Sequence, residues 1–279
     1  MKSNILILDG YNLLHRARYS MAAKRAGEHG MTFSFFRSLK TLVEKFNPDK
    51  IYFVLEGYPK HRHTAVDNYK ANRERNDDNS FHQQKDDIIS LCKKSFPVTV
   101  VRHPDFECDD TIAYLARERH VANSLVTIVS TDTDFIQLLQ CPHVSLYNPV
   151  RKEFIQKTPF NYVFWKALRG DSADNIAGFK GIGDKRALKI LESQESFLKF
   201  METQEIREKF ATNCFLINLH DYLLKDDLEN LEEINGNFDW KECRKFFVER
   251  EFKSLTQSRY SENFRQIFEK VGKQNEQLK

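Results

Sequence analysis

Three acids fall within four residues at Glu107, Asp109 and Asp110, in the run FECDDTIAYLARERH. An apolar helical pattern of Ile112, Ala113, Leu115 and Ala116 follows them. Carboxylates this close raise one another's pKa unless a cation sits among them. A hard divalent ion, Mg²⁺ or Mn²⁺, takes oxygen ligands and relieves the repulsion. A local reading competes: Asp109 or Asp110 caps the helix and Glu107 is solvated. The rest of the chain decides between the two.

Four short apolar runs must position these acids. Asn4–Leu8, Ile51–Leu55, Val98–Val101 and Leu125–Val129 each have the character of a doubly covered parallel strand. Helical stretches at Phe33–Phe46, Asp86–Ser95 and Asp110–Val121 lie between them. The alternation predicts an α/β fold with a mostly parallel central sheet flanked by helices. Each run leads to acid: Asp9, Glu56, the Glu107–Asp110 group, and Asp132 with Asp134. The carboxyl ends of parallel strands form the rim where ligands bind. The acids are therefore expected on one rim, around two metals ~3.5–4 Å apart.

The most basic stretch lies between the second and third runs. Lys60, Arg62, Lys70, Arg73 and Arg75 are set against Asp67 and Glu74, with His61, His63 and Tyr69 interleaved. It is either a solvated helix face or a set of cations above the rim, suited to a phosphate backbone. Tyr69 could then stack on an unpaired base. His61 and His63 are assigned to solvent or phosphate, because the neighbouring candidate ligands are all oxygens.

Beyond Asp134, Val144–Tyr147 and Lys152–Ile155 are expected as short strands, and Asn161–Arg169 as a helix stopped at Gly170. Asp171 and Asp174, three apart, suit one face of a helical turn and either complete the metal cluster or cap a helix. Gly181 and Gly183 permit close backbone approach, so N–H groups at the start of the basic helix from Asp184 can meet a phosphate. An ordinary helix–turn–helix connection is the alternative. The remainder is expected to be helical and charged, with Asn213–Leu224 and Lys241–Phe252 amphipathic and a polar tail beyond Phe268.

Apolar residues make up 41% of the 279, enough for a core, which excludes global disorder. No apolar run approaches the ~20 residues of a membrane span. The N-terminus has no signal-peptide layout, so a cytoplasmic location is expected. Five widely spaced cysteines without a CxxC pair argue for a reducing compartment and against structural zinc. Cys108 is taken as a small buried residue. With 43 basic and 40 acidic residues, a nucleic-acid partner must be argued from where the charges lie.

In this order, ILDGYNLLHRA, KHRHTAVDNYKANR, ECDDTIAYLA, VSTDTDFIQLL and GDSADNIAGFKGIGDKRALKIL resemble the phage and bacterial 5′-nuclease (flap endonuclease) family. That family includes the 5′-nuclease domain of bacterial DNA polymerase I. With a weaker match at CRKFFVEREFKSL, the resemblance spans roughly residues 4 to 255. It implies a PIN-like nuclease core over residues 1–157 with a helical arch at about 58–97. It also implies a helical region at 158–279, holding a helix–three-turn–helix module at about 170–195 that grips duplex DNA, with C-terminal helices packing back on the core.

Asp9, Glu56, Glu107 and Asp109 then look like ligands of a first Mg²⁺, and Asp132, Asp134, Asp171 and Asp174 like those around a second, with Asp110 close to both. Mn²⁺ is expected to substitute. Tyr69, Lys70 and Arg73 match the YKxNR element whose basic groups steady the scissile phosphate. Arg62 matches an arch arginine, and Arg75 joins the DNA-facing set. The Gly181-Ile182-Gly183 turn, with Lys180, Lys185 and Arg186, resembles the site that binds duplex phosphate, often through a monovalent cation such as K⁺. Glu56 departs from the family's usual Asp and is one methylene longer, so it ligates directly or through water. The implied activity is structure-specific cleavage of DNA by a monomer at 5′ flaps or 5′ ends, in replication and repair. The alternatives are an RNase H-like enzyme acting on RNA–DNA hybrids and a catalytically weak DNA-binding relative.

Overall fold

The computed structural model describes residues 2–72, 78–121, 123–219 and 228–277. The expectations for Arg73 and Arg75, and for residues 220–224 of the Asn213–Leu224 segment, lie outside the described residues.

Strand β1 (Ser3–Asp9) passes directly into α1 (Gly10–Arg18), followed by α2 (Met21–Arg25) and α3 (Gly30–Phe46). Asn47 ends α3 in the left-handed region (φ 42°), a conformation asparagine tolerates. Strand β2 (Lys50–Leu55) leads to the short α4 (Lys60–Ala65). Helix α5 (Asn79–Ser95) starts earlier than its apolar pattern suggests, because Asp78 caps it by accepting from the Phe81 N–H at 2.8 Å. Strand β3 (Thr99–Arg102) and α6 (Cys108–Tyr114) follow, and α6 continues as a π-helical turn over Leu115–Arg119. Next come β4 (Ser124–Val129), β5 (Val144–Asn148), β6 (Glu153–Ile155) and α7 (Tyr162–Arg169). Two-residue strands β7 (Gly170–Asp171) and β8 (Ile176–Ala177) precede α8 (Asp184–Leu191), α9 (Gln194–Phe200) and α10 (Gln204–Ile217). Strand β9 (Glu232–Asn235) and helices Trp240–Glu249, Lys253–Thr256 and Ser258–Gln277 complete the chain.

The seven-stranded sheet has the order β6-β5-β4-β1-β2-β3-β9. The five inner strands are parallel, and β6 and β9 pair antiparallel at the edges. From β1 the chain builds outward through β2 and β3, then crosses back to place β4 on the other side of β1. The order therefore reverses beside β1, and its last residue, Asp9, stands at this topological switch point.

Both sheet faces are covered, which is why the inner strands are continuous apolar runs. One face packs Phe35, Phe36, Phe53 and Phe96 against Phe247, Phe264 and Phe268 from the C-terminal helices. The other packs Ile7, Tyr52, Val54, Ile112, Phe135 and Leu138. A third cluster unites Leu168, Ile182, Ile190 and Phe210 with Tyr69.

Strand β9 corrects the expectation of a wholly helical C-terminal region. Glu-Glu-Ile-Asn carries almost no strand signal of its own. Its state comes from pairing Val101 with Glu233 and Thr99 with Asn235, where the Thr99 hydroxyl donates to Asn235 Oδ1 at 2.7 Å. Packing context overrides weak local preference.

Phe36 stacks on Phe96 at 4.9 Å and meets Phe247 edge-on at 5.4 Å. Phe36→Ala is expected to cost about 3–5 kcal/mol in urea unfolding; a loss below about 1 kcal/mol would show that this aromatic face is not a shared core.

Candidate metal and phosphate site

Asp9 is both the last residue of β1 and the N-cap of α1. Its Oδ1 accepts from the Asn12 N–H at 3.2 Å and its Oδ2 from the Ser130 hydroxyl at 2.5 Å. The strand can become a helix without a spacer because residue 10 is glycine. A Cβ there would stand 2.2 Å from the Val54 carbonyl oxygen. Glu56 follows β2, and its Oε2 accepts from the Cys108 N–H at 3.4 Å. Glu107 is the N-cap residue of α6, and Asp109 and Asp110 lie in its first turn. After β4, the Ser130 Oγ accepts from the Asp132 N–H (3.0 Å), and Asp132 Oδ1 accepts from the Asp134 N–H (2.8 Å).

The acids form two groups. In the first, burial holds the Asp109 carboxyl well above the usual carboxylate range, with Asp132, Asp9 and Glu56 adding repulsion. Burial pushes Asp9 up to about 6; Asp132 adds to this, while hydrogen bonds from Ser130 and Asn12 oppose it. Burial pushes Glu56 up to about 7, with Glu107 adding and Lys70 opposing. In the second group, carboxylate oxygens of Asp134, Asp171 and Asp174 lie within 4.8 Å of one another. Burial raises Asp134 to about 6 against the pull of Lys166. Oxygen-only donors whose charged forms are strained by burial and mutual repulsion fit hard divalent cations.

Lys70 stands between the groups. Its residue is left-handed (φ 53°), its backbone N–H donates to the Asp174 carbonyl at 3.1 Å, its ammonium donates to Glu107 Oε1, and the same nitrogen is 3.6 Å from Asp174 Oδ2. Burial alone would raise Glu107, yet Lys70 and Arg62 outweigh it and hold that carboxyl below its ordinary value.

Three expectations need correction. Arg62, expected to face DNA, is only 1% exposed. Its Nη1 donates to Glu107 Oε2 and to Asp110 Oδ2 at 2.6 Å each, and its Nη2 to Asp110 Oδ1 at 2.7 Å. Its Nε donates to the Leu216 carbonyl at 3.1 Å. Asp110, expected near both metals, is fully buried with both oxygens taken by this guanidinium fork. Tyr69, expected to stack on a base, is 3% exposed and its hydroxyl donates to Glu107 Oε2 at 3.0 Å. A basic, aromatic segment shows what its side chains can bind, but not which way they turn. His61 likewise packs against the Phe106 ring at 4.8 Å rather than lying in open solvent.

Lys166 was not picked out from the sequence. It projects from α7, is buried, and donates to both Asp134 and Asp171 (2.6 Å to the latter). These acids raise its pKa despite burial and Lys166 lowers that of Asp171. A lysine set among the aromatic and apolar residues of YVFWKALR was the available signal.

The glycine turn is presented outward. Gly181 (φ 75°) needs the freedom of glycine, and the Ile182 side chain is anchored in the third core cluster. Lys180, Gly183, Lys185 and Arg186 are exposed around it, with Gly183 as the N-cap residue of α8.

An acid rim at the switch point of a mostly parallel sheet, with Lys70 between its two carboxylate groups, marks an α/β protein whose carboxylates could hold a metal ion. Residues 4–164 match the model of the 5′-3′ exonuclease, N-terminal resolvase-like domain, and the chain belongs to that family. It is 31% identical over 208 residues to DNA polymerase I of Treponema pallidum, covering 68% of this chain and 21% of that protein. It is 31% identical over 280 residues to the thermostable DNA polymerase I of Thermus filiformis, covering 90% of this chain and 32% of that protein. The chain thus spans no more than about a third of these relatives. A solved structure of a variant bacteriophage T5 flap endonuclease, a pseudo-enzyme-product complex with DNA and metal ions, shares the fold. Its TM-score is 0.63 at 21% identity, covering 96% of this chain and 99% of that one. Among the described residues no helix is long and apolar enough to cross a membrane.

Asp9, Glu56 and Asp134 bind protons more tightly folded than unfolded, so stability falls as pH rises from about 4 through about 6–7. Glu107 and Asp171 act in the opposite sense below that window, and His120, which burial lowers to about 4, opposes the three acids up to about pH 6.5, so the fall is clearest above pH 6. The metal-free protein is expected to melt higher at pH 6 than at pH 8, and Mg²⁺ or Mn²⁺ to raise Tm more at pH 8. Scanning fluorimetry with and without EDTA checks both; a Tm indifferent to pH and metal would refute the paired acid groups. Arg62→Ala is expected to cost about 3–5 kcal/mol, because Asp110 would be left buried and uncompensated. Unfolding at wild-type denaturant concentration would return Arg62 to the surface.

Proposed function

We propose that the chain is a structure-specific 5′ nuclease: a metal-dependent hydrolase of DNA phosphodiesters that serves replication and repair. The observation that carries this reading is the meeting of two carboxylate groups from five separate segments at one rim of the sheet, with Lys70 between them, in a member of the 5′-3′ exonuclease family.

Asp9, Glu56, Glu107 and Asp109 would hold one Mg²⁺, and Asp132, Asp134, Asp171 and Asp174 a second, with Mn²⁺ as a substitute. When bound, these ions lower the pKa of a water to give hydroxide near neutral pH and neutralise phosphate charge. The protein's own groups do the rest. The Lys70 ammonium, tethered to Glu107, meets charge that develops on a phosphate oxygen. Arg62 and Tyr69 orient Glu107, and Lys166 orients Asp134 and Asp171. Arg73 is assigned to the same phosphate, and Arg75 to the strand beyond it. Lys180, Gly181, Ile182, Gly183, Lys185 and Arg186 take the backbone of the duplex arm, with K⁺ bound at the turn. Products carry 5′-phosphate and 3′-hydroxyl ends. The reading places the protein in the cytosol as a monomer.

End-labelled 5′-flap DNA tests the reading directly. Wild type is expected to cleave with Mg²⁺ and to stop in EDTA. Asp132→Asn and Asp134→Asn should lower cleavage at least about a hundredfold, beyond what outer-shell partners of a metal are worth, while DNA affinity holds. Lys70→Ala should slow single-turnover cleavage about 10²–10³-fold. Undiminished cleavage in EDTA, or by the Asn variants, would defeat the metal assignment. A matched RNA-primed substrate cut faster than the DNA flap would move the assignment to a primer-removing enzyme.

A further inference from the structure

The loop from β2 to α4 carries an exposed aromatic ring that the chemistry above does not use. Tyr58, two residues beyond Glu56, is 56% exposed. Its backbone is nonetheless pinned. The Tyr58 N–H donates to the Pro104 carbonyl at 2.8 Å, and the Lys60 N–H to the Asp105 carbonyl at 3.3 Å. Gly57 sits so close to the same neighbouring loop that a Cβ would meet the His103 carbonyl oxygen at 1.9 Å.

The ring is held too. It lies parallel on the His63 imidazole, with centroids 4.8 Å apart and planes 7° from parallel. His63 meets Tyr69 edge-on at 5.7 Å, and Tyr69 donates to Glu107. A column of three rings thus runs from solvent to a candidate metal ligand. The outer ring is the one a base can reach, while the inner one, to which the sequence assigns stacking, is enclosed. Exposed Lys60, two residues on, adds a positive charge to the same loop. Stacking on an aromatic face is open to every base, and a ring already fixed by its neighbour loses little freedom when a ligand arrives.

We propose that Tyr58, backed by His63, is a stacking platform for an unpaired nucleobase of the DNA substrate close to the phosphate that Lys70 meets. The proposal rests on the nuclease reading and adds a specificity-determining residue to it. Tyr58 is more than half exposed and meets the core through His63, so Tyr58→Ala should fold with at most a small fall in Tm.

The probe is 5′-flap DNA with 2-aminopurine walked through the first unpaired positions, bound in EDTA so that nothing is cut. At one position, wild type, Tyr58→Phe and Tyr58→Trp should quench the fluorescence and Tyr58→Ala should not. Flap affinity should fall about five- to hundredfold in Tyr58→Ala, while a nicked duplex with no unpaired 5′ nucleotide binds equally to both. Unchanged quenching and affinity in Tyr58→Ala, with Mg²⁺-dependent cleavage intact, overturns the platform and leaves the nuclease reading standing. If wild type cleaves no branched DNA, the nuclease reading falls instead. A single-stranded 2-aminopurine oligonucleotide then decides the platform: quenching by wild type but not by Tyr58→Ala supports it, and equal signals end it.

Discussion

Negative charge confined at the poorly hydrated carboxyl ends of the inner strands is the constraint from which the rest of the structure follows. Burial pushes Asp9, Glu56, Asp109 and Asp134 toward their neutral forms, and each makes its neighbours harder to ionise. The fold answers with cations drawn from distant segments. Arg62 takes Asp110 and shares Glu107, Lys70 takes the other oxygen of Glu107, and Lys166 takes Asp134 and Asp171. Asp9, Glu56 and Asp109 have no such ion pair among the described residues, and burial raises all three, which leaves them the acids most in need of an outside cation.

Topology makes the crowding possible. Only where strand order reverses do successive β–α connections leave in opposite directions and open a crevice. Asp9 ends the strand at that point, and the loops after β2, β3 and β4 deliver the other acids beside it. The helical module enters the site from a different direction. Helix α7 supplies Lys166, and the short β7–β8 pair, with the left-handed Asn175 between its strands, holds Asp171 and Asp174 in reach of Asp134.

The sheet and its rim were legible because both are written locally. Apolar runs bounded by acids declare strand, strand end and charge within a few residues, and the four inner runs match β1 to β4 closely. What sequence could not show was direction. Arg62 and Tyr69 occur in a stretch whose composition suits DNA, yet both turn inward because two carboxylates and a hydrophobic cluster are there to receive them. The part of Lys166 shows only once Asp134 and Asp171 face it. Strand β9 had no pattern to read, since its state is imposed by β3.

The aromatic face of the sheet is built from both halves of the chain: Phe36 and Phe96 come early, whereas Phe247, Phe264 and Phe268 come last. During synthesis on the ribosome, the early strands emerge with that face bare and with the β3 edge open, long before β9 and the closing helices exist. The nascent sheet must therefore wait in an adhesive state for more than a hundred residues of polypeptide.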